Sequence, residues 1–319
     1  MSVLPSPETT FEDGERETLP VEYVAYAEEV LAGKAHSETA PAFWVAKYEK
    51  EAARNWDIFY KRNTNKFYKD RHWLKAEFPA LAAGDGSLRL LEVGCGVGNT
   101  IFPLLDEVPG LEILGIDFAK RAIAMVREHP TYVAEHTADR SPRVHAAVAD
   151  LVHDDIVAIV DETFGAPVDC LTMIFVLSAI APEHHPDVMA KMARAIRPGG
   201  LILMRDYGRY DLAQLRFKKG AKLADNFYVR ADGTRAYYFS LDEIELLAHA
   251  AGLIVDRAAY VLRNVVNHKE GKSMNRVWFQ AVLRRPLPAD ADADAPATRA
   301  DADVATDAAT DDAPDTPSS

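Results

Sequence analysis

Residues 90–99 read Leu90-Leu91-Glu92-Val93-Gly94-Cys95-Gly96-Val97-Gly98-Asn99, and this stretch decides the fold. An apolar run ends in three glycines at alternate positions, and a segment compatible with a helix follows from Thr100 to Glu107. Glycine suits such a junction because the chain turns sharply and a ligand must approach the backbone without a Cβ in the way. The stretch predicts a strand, a tight turn and a helix in an α/β unit.

A second predicted strand, 111–116, follows that helix and ends at Asp117. A carboxylate at the tip of that strand suits a ribose diol, which offers two O–H donors to one acidic acceptor. The glycine pattern alone is weak, since it also occurs in structural turns. Together with Asp117 it predicts a site for a nucleoside cofactor.

Strands alternate with helices through the middle of the chain. The predicted strands cover residues 88–93, 111–116, 143–148, 168–174 and 201–205, and the predicted helices cover 99–107, 119–128, 154–162 and 186–196. A polar loop is expected around 130–142, a capping box of Ser240 and Glu243 begins a helix over 240–251, and strands near 253–262 and 276–284 close the sheet. This alternation predicts a mostly parallel sheet with helices on both faces and ligands at the carboxyl ends of its strands.

The net charge of −13 over 319 residues is unevenly distributed. Residues 287–319 hold nine aspartates and one arginine, which predicts a disordered, solubilising segment that would compete electrostatically for basic surfaces. Segment 1–18 is expected to be disordered as well. No membrane span or secretion signal is visible, and two cysteines, Cys95 and Cys170, fit a reducing compartment without a metal cluster. We therefore expect a cytoplasmic protein with no metal and no membrane contact.

Three segments are basic despite the acidic total. Residues 56–75 contain six basic side chains, two acidic ones and six aromatics; residues 205–238 carry eight Lys or Arg against four Asp; and 263–276 carry four against one Glu. If they converge, they form a basic face that can meet nucleic acid phosphates. The alternative is that long surface loops are often charged. The first segment has two alternative roles. In one, its aromatics only pack the N-terminal helices onto the domain. In the other, an aromatic side chain covers a cofactor while phosphates are bound by Arg62, Lys66, Arg71 and His72.

Nicotinamide enzymes and methyltransferases both combine a glycine turn with an acidic strand end. Three features favour S-adenosylmethionine: Glu92 before the glycines, Asp150-Leu151 at the end of the third strand, and the turn Pro198-Gly199-Gly200, whose strand leads into a long insertion. A carboxylate at Asp150 can accept from the adenine amino group, although a helix N-cap is an alternative role for it.

Six stretches within residues 44–284 are more distinctive than the glycine turn. They read Asn55-Trp56-Asp57-Ile58-Phe59-Tyr60-Lys61-Arg62-Asn63, Phe67-Tyr68-Lys69-Asp70-Arg71-His72-Trp73, Leu91-Glu92-Val93-Gly94-Cys95-Gly96-Val97-Gly98-Asn99, Ile174-Phe175-Val176-Leu177-Ser178-Ala179, Arg205-Asp206-Tyr207-Gly208 and Asn226-Phe227-Tyr228-Val229-Arg230-Ala231-Asp232-Gly233-Thr234-Arg235. Together they resemble the tRNA 3-methylcytidine methyltransferase family, a methyltransferase-like group that acts on the anticodon loop. The resemblance implies a Rossmann-like, seven-stranded class I fold, S-adenosylmethionine as donor and cytidine N3 as acceptor.

The resemblance also implies where the cofactor is held, and composition and resemblance together give the expected division of the chain. The cofactor residues are Trp56, Tyr60, Gly94, Cys95, Gly96, Asn99, Asp117, Phe118, Asp150, Leu151 and Ile174. The expected organisation is an acidic, partly disordered N-terminus (1–40), a helical extension that binds cofactor and RNA (41–80), a methyltransferase domain (81–285) with a substrate insertion (206–239), and a disordered acidic tail (286–319).

The acceptor side is predicted from the reaction itself. Methylation of N3 leaves a cation, and a carboxylate near the exocyclic amine would stabilise it. Asp206 is the candidate, with an ion pair to Arg205 or another arginine as the alternative role. Tyr207 and Phe227 or Tyr228 are expected to stack on the flipped base, and Arg71, Arg230 and Arg235 to hold phosphates.

Other functions stay open at this level. A small-molecule methyltransferase would need an apolar, enclosed insertion, but residues 205–238 are basic and aromatic. A catalytically silent RNA- or partner-binding module would have lost the cofactor residues, but the glycine turn and both aspartates are present. tRNA is the expected substrate, and an aminoacyl-tRNA synthetase is a possible partner.

Overall fold

An eight-stranded sheet forms the centre of the fold. The computed structural model describes residues 11–33, 38–64, 68–82, 86–139, 141–267 and 272–288. Its strands are β1 (Gly14–Arg16), β2 (Leu88–Val93), β3 (Leu111–Asp117), β4 (Val144–Val148), β5 (Val168–Ile174), β6 (Ile196–Tyr207), β7 (Lys222–Ala224), β8 (Phe227–Val229), β9 (Arg235–Tyr237), β10 (Ile254–Asn267) and β11 (Lys272–Arg284). Strands β7, β8 and β9 form a separate small sheet, and the other eight form the large one.

The large sheet has the order β1-β10-β11-β6-β5-β2-β3-β4. Strands β2 to β6 are parallel, while β11 pairs antiparallel with β6, β10 with β11 and β1 with β10. From β2 the chain first adds β3 and β4 on one side of the sheet and then β5 and β6 on the other side, so the strand order reverses at β2. In such sheets a ligand crevice opens outside the carboxyl ends of the strands at this switch point. The predicted α/β class with a mostly parallel sheet is confirmed.

Helices cover both faces of the large sheet. They are α1 (Val21–Ala32), α2 (Ala42–Lys50), α3 (Ala52–Asn63), α4 (Leu74–Glu77), α5 (Ile101–Glu107), α6 (Lys120–Glu128), α7 (Pro130–Glu135), α8 (Ile156–Phe164), α9 (His185–Ala195), α10 (Leu212–Leu215) and α11 (Leu241–Ala250). Successive strand residues point to opposite faces, so Leu90 and Leu91 of β2 are both fully buried but belong to different core clusters. Along the described segments, no helix has the length and apolarity that crossing a bilayer requires.

Several predicted boundaries needed correction. The expected loop at 130–142 begins with helix α7, which has Pro130 at its first position and His129 Nδ1 accepting from the Thr131 N–H at 3.3 Å. The strand expected at 201–205 runs from Ile196 to Tyr207, because the main chain of its glycine turn pairs with Arg285. The predicted helical extension over 41–80 does not begin with one continuous helix, because the chain is divided at Glu51 into α2 and α3.

The N-terminal region also differs from the prediction. Segment 1–18 was expected to be disordered, but Gly14–Arg16 add an eighth strand to the edge of the sheet, in register with Tyr260, Val261 and Leu262 of β10. A seven-stranded sheet was therefore one strand short. In contrast, the predicted capping box is confirmed: the Glu243 N–H donates to Ser240 Oγ at 3.2 Å, and the Ser240 N–H donates to Glu243 Oε2 at 2.7 Å.

The predicted insertion folds into the small antiparallel sheet. Its strands bring together the aromatic rings of Tyr228 and Tyr238, with Tyr207 and Phe217 packed against them. The rings of Phe217 and Tyr228 stack in parallel, with centroids 4.6 Å apart. The insertion is therefore a packed element with its own aromatic core.

Candidate active site

The glycine turn after β2 lies directly beneath a cleft. Gly94 and Gly96 have φ of 60° and 55°, values that side chains rarely allow. A Cβ at Gly94 would lie 2.4 Å from Val176 Cγ2, and a Cβ at Gly96 would lie 2.7 Å from Tyr60 Oη. Because Val176 and Tyr60 line the cleft, any side chain at either glycine would displace a wall of it.

The cleft has a volume of about 410 Å³ and opens at the carboxyl ends of the parallel strands. This volume lies within the range of small-molecule and cofactor sites. Its walls include all eleven residues predicted for the cofactor: Trp56, Tyr60, Gly94, Cys95, Gly96, Asn99, Asp117, Phe118, Asp150, Leu151 and Ile174. The structure thus brings them into one site, and their role as cofactor ligands stays a prediction.

Asp117 ends β3 at the bottom of the cleft and is buried. Its Oδ2 accepts from the Gly96 N–H at 2.9 Å and its Oδ1 from the Ala119 N–H at 2.8 Å. Burial raises the pKa of this carboxyl to about 6, against the lowering effect of the two N–H groups. Each oxygen retains a lone pair, so the carboxylate can still accept from both hydroxyls of a ribose.

Asp150 lies across the cleft, after β4. Its Oδ1 accepts from the Val152 N–H at 2.8 Å and so fixes the turn that carries Leu151. Asp155, and not Asp150, caps helix α8 by accepting from the Ala158 N–H at 3.1 Å. The alternative role of Asp150 as a helix N-cap is therefore wrong, and its role as an acceptor for the adenine amino group stays a prediction.

Helix α3 contributes an aromatic wall. Trp56 and Tyr60, one helical turn apart, both line the cleft with ring centroids 5.9 Å apart. Phe59 is buried and belongs to the cluster behind them. Phe59 therefore packs the helix, and the role of Trp56 and Tyr60 in covering a cofactor stays a prediction.

Arg71 does not project toward solvent, as a phosphate ligand would. It lines the cleft, its Nη1 donates to Thr100 Oγ1 at 3.1 Å, and the same atom lies 3.6 Å from Glu92 Oε1. Glu92 is 1% exposed, and among the described residues neither of its carboxylate oxygens accepts a hydrogen bond. Burial raises the pKa of Glu92 to about 7, with Arg71 opposing the shift. This placement inside the cleft does not support the predicted phosphate role of Arg71.

The two residues predicted to be catalytic lie outside the lining of the cleft. Neither Asp206 nor Tyr207 lines the cleft. Asp206 is 1% exposed, and its carboxylate accepts from the Ser178 N–H at 2.9 Å and the Tyr207 N–H at 2.8 Å. The alternative ion pair with Arg205 is wrong too, because Arg205 Nη2 lies 2.8 Å from Glu77 Oε2. Asp206 therefore fixes the loop after β5, and its burial raises its pKa to about 6.

Phe175 is the aromatic residue that sequence reasoning missed. It follows β5, has φ of 60°, lines the cleft, and its ring centroid lies 5.0 Å from that of Tyr207. Tyr207 lies behind it, with the Arg230 and Arg276 guanidiniums 5.2 and 5.9 Å from its ring. The sequence indicates Phe175 only by its position directly after β5, a strand that ends at the site. Tyr68, also missed as a site residue, lines the same cleft.

Several predicted RNA-binding residues are buried. Phe227 and Tyr228 are 3% and 2% exposed within the core clusters, so base stacking was the wrong role for both rings. Arg235 is also buried, pairs with the Glu49 carboxylate and donates to the Ala179 carbonyl at 3.1 Å, although it also lines the cleft. Arg230 Nη1 donates to the Arg235 carbonyl at 3.1 Å. These guanidiniums position main chain around the site.

The remaining predicted RNA contacts lie near the surface. Arg62 is exposed at the end of α3. His72 is exposed, with Nδ1 2.7 Å from Glu107 Oε1. Lys66 lies outside the described residues.

Across the described ranges, no group of three or more His, Cys, Asp or Glu side chains could hold a metal ion.

Comparison with known proteins agrees with this site. A family model described as a methyltransferase domain matches residues 60–258. The chain is 45% identical over 249 residues to the Mus musculus tRNA N(3)-cytidine methyltransferase METTL6, covering 77% of this chain and 85% of that protein. It is 38% identical to the Danio rerio tRNA N(3)-cytidine methyltransferase METTL2 (84% of each chain). Identity to the Saccharomyces cerevisiae tRNA(Thr) (cytosine(32)-N(3))-methyltransferase is 39%, over 83% of this chain and 42% of that one.

A solved structure shares the fold. An S-adenosylmethionine-dependent methyltransferase from Anabaena variabilis superposes with a TM-score of 0.52 at 16% identity, covering 73% of this chain and 94% of that one. At this identity the likeness shows the fold alone. The fold is therefore shared with a methyltransferase of very different sequence.

Proposed function

Since the chain belongs to the tRNA N(3)-cytidine methyltransferase family, we propose that it transfers a methyl group from S-adenosylmethionine to N3 of an unpaired cytidine in a tRNA anticodon loop. The observation that carries the proposal is the cleft, in which an acidic strand end, a glycine turn and an arginine line one cavity of about 410 Å³. The family relation supplies the acceptor, and the cleft supplies a place for the donor.

The residues of the cleft fit S-adenosylmethionine part by part. Asp117 would accept from the ribose hydroxyls, and Asp150 from the adenine amino group. Gly94 and Gly96 let the cofactor lie against the main chain, because a Cβ at either position would collide with a cleft wall. Arg71, held by Thr100 and facing Glu92, would bind the carboxylate of the methionine part.

On the acceptor side the chain acts mainly by positioning. Bound S-adenosylmethionine supplies an electrophilic methyl group, and cytidine N3 already has a free lone pair at neutral pH. Since N3 lies on the pairing edge, the base must leave its stack to reach the cleft. Phe175 and Tyr68 line the cleft and offer aromatic faces on which the base can stack and which favour the cationic product.

The assignment of Asp206 follows from its contacts. It is a positioning residue in this proposal, because its carboxylate holds the loop that carries Phe175 and Ala179, both of which line the cleft. No carboxylate-assisted proton transfer is required, since N3 of cytidine carries no proton at neutral pH.

The test is methyl transfer from labelled S-adenosylmethionine to total tRNA, followed by nucleoside analysis. The expected product is 3-methylcytidine, formed by the wild-type chain and not by Asp117→Ala. Calorimetry of the same proteins measures cofactor binding separately. If the cofactor binds but no tRNA is labelled, even with an aminoacyl-tRNA synthetase fraction added as the predicted partner, the acceptor assignment is wrong.

A further inference from the structure

A second, basic groove lies on the insertion, away from the cofactor cleft. Five cationic side chains line it: Arg216, Lys218, Lys219, Arg230 and Arg276. The rings of Phe217 and Tyr238 complete its walls, and none of the described residues that line it is acidic. We call this surface the basic groove.

The positive charge of the groove is only partly compensated. Arg276 Nε lies 2.8 Å from the buried Asp211 carboxylate, and Lys219 Nζ lies 2.9 Å from Glu38 Oε2 in an exposed pair. An exposed pair of this kind is weak and easily exchanged for another anion. Within the described residues, Arg216 and Lys218 take part in no ion pair. The groove therefore attracts a polyanion.

The same chain carries a polyanion. Residues 289–319 hold nine aspartates and one arginine, a net charge of −8, against −13 for the whole sequence. The described chain approaches this segment beside the beginning of β6, where the Gly199 N–H donates to the Arg285 carbonyl at 2.9 Å. That is the edge of the sheet opposite the carboxyl ends of the parallel strands.

The segment is long enough to reach the groove. Fully extended, segment 289–319 spans at most about 100 Å. A compact domain of this length has a radius of gyration of about 20 Å. A path from one edge of the sheet around to the insertion is therefore within reach.

We propose that the aspartate-rich segment 289–319 occupies the basic groove and competes there with the RNA phosphates of the substrate. The competition with RNA rests on the proposed function, whereas occupation of the groove does not. The partners are matched in charge: carboxylates at intervals along one segment, and ammonium and guanidinium groups along one groove. Tethering makes the competition effective, because an attached segment acts at an effective concentration in the millimolar range.

The groove is connected to the active site. Arg230 and Arg276 line the groove, and their guanidiniums also lie over the ring of Tyr207. Tyr207 contacts Phe175, which lines the cleft. An RNA whose base enters the cleft would thus have its neighbouring phosphates near the groove that the segment occupies.

Zero-length carbodiimide cross-linking of the full chain tests occupation without any RNA. The reagent joins a carboxylate to a lysine amine in direct contact, and mass spectrometry identifies the pairs. Glu38–Lys219 is an internal positive control, since the structure places these groups in contact. We expect cross-links from aspartates of 289–319 to Lys218 or Lys219, independent of protein concentration and lost at high salt.

The matched control is a second basic cavity, between α3 and α6, whose lining includes Arg54, Lys61, Lys120 and Arg121. If the segment is only a diffuse counter-charge, its aspartates will cross-link to Lys61 and Lys120 as often as to the groove lysines, and the proposal is overturned. Absence of segment cross-links, with the Glu38 control present, overturns it as well.

A binding experiment then tests the competition. Replacing the nine aspartates of the segment by asparagine in the full chain should tighten tRNA binding by about three- to tenfold at low salt. The same replacement should have no effect in a Lys218→Gln/Lys219→Gln background, but should keep its effect in a Lys61→Gln/Lys120→Gln background. Equal effects in both backgrounds would contradict competition at the groove. A chain that binds no tRNA would contradict the proposed function, while the cross-links would still test occupation.

Discussion

Replacing Asp117 by asparagine tests the ribose role that the site gives to this carboxylate. In the wild-type chain each carboxylate oxygen already accepts one main-chain N–H, from Gly96 at 2.9 Å and from Ala119 at 2.8 Å. Asparagine keeps one acceptor oxygen and directs an NH2 group at the other donor. The substitution therefore removes the charge that the ribose would meet and weakens the turn beside it.

The size of the effect follows from hydrogen bonds to a charged acceptor. Each such hydrogen bond contributes about 1.5–3 kcal/mol. The loss of one to two of these hydrogen bonds should therefore raise the dissociation constant for S-adenosylmethionine by roughly a hundredfold. The unsatisfied N–H costs about 1–3 kcal/mol of folding free energy. In a domain of this size that corresponds to a fall in melting temperature of several degrees, about 2–4 °C per kcal/mol.

Calorimetric titration with S-adenosylmethionine at pH 7.5 measures the first effect, and thermal unfolding without cofactor measures the second. Asp155→Asn is the matched control, because Asp155 caps helix α8 outside the cleft, and asparagine keeps that cap while it removes the same charge. A dissociation constant for Asp117→Asn within about threefold of wild type, as the control should give, would refute the ribose assignment.

Four further predictions address the same site. Cofactor affinity should fall below about pH 6, because burial raises the pKa of Asp117 to about 6 and its protonation removes the charged acceptor; titrations across pH 5–8 measure this. Gly96→Ala should abolish cofactor binding measured by calorimetry, since its φ is 55° and its Cβ would lie 2.7 Å from Tyr60 Oη. Phe175→Leu should leave cofactor affinity unchanged and lower kcat/KM for tRNA by about five- to a hundredfold, because base–aromatic stacking contributes about 1–3 kcal/mol. Asp206→Ala should lower the melting temperature and weaken cofactor binding together; a large loss of kcat with both unchanged would restore its direct catalytic role.

The parallel part of the fold was predictable because its signals are local. A strand of this kind is buried on both faces and reads as an apolar run, and the turns and caps use residues with strong conformational preferences. Ser240 and Glu243 lie within one helical turn, so their capping box is visible in sequence. Strand β1 carries no such signal: Gly14–Arg16 is a strand because it pairs with β10, which lies near the other end of the chain.

The convergence of the predicted cofactor residues on one cleft was predictable for the same reason, and the placement of the predicted acceptor residues was not. Asp117 and Asp150 follow strands, and strand ends meet at one edge of a parallel sheet. Arg71 and Arg235 were misassigned because their partners are distant in sequence. Arg71 faces Glu92 at the end of β2, and Arg235 of β9 pairs with Glu49 of α2. Without the fold, a paired arginine and one that meets solvent look alike in sequence.

This distinction determines which basic residues can contact RNA. Charge counts over the three basic segments treat every guanidinium as available, but a paired and buried one must be desolvated and already has its partner. Glu77 faces both Arg205 and Arg263, and the buried Asp211 carboxylate holds Arg276. The charge that remains for phosphates lies in exposed side chains such as Arg216 and Lys218. If RNA binding is electrostatic, substituting these two should flatten its salt dependence, whereas substituting Arg205 should chiefly destabilise the fold.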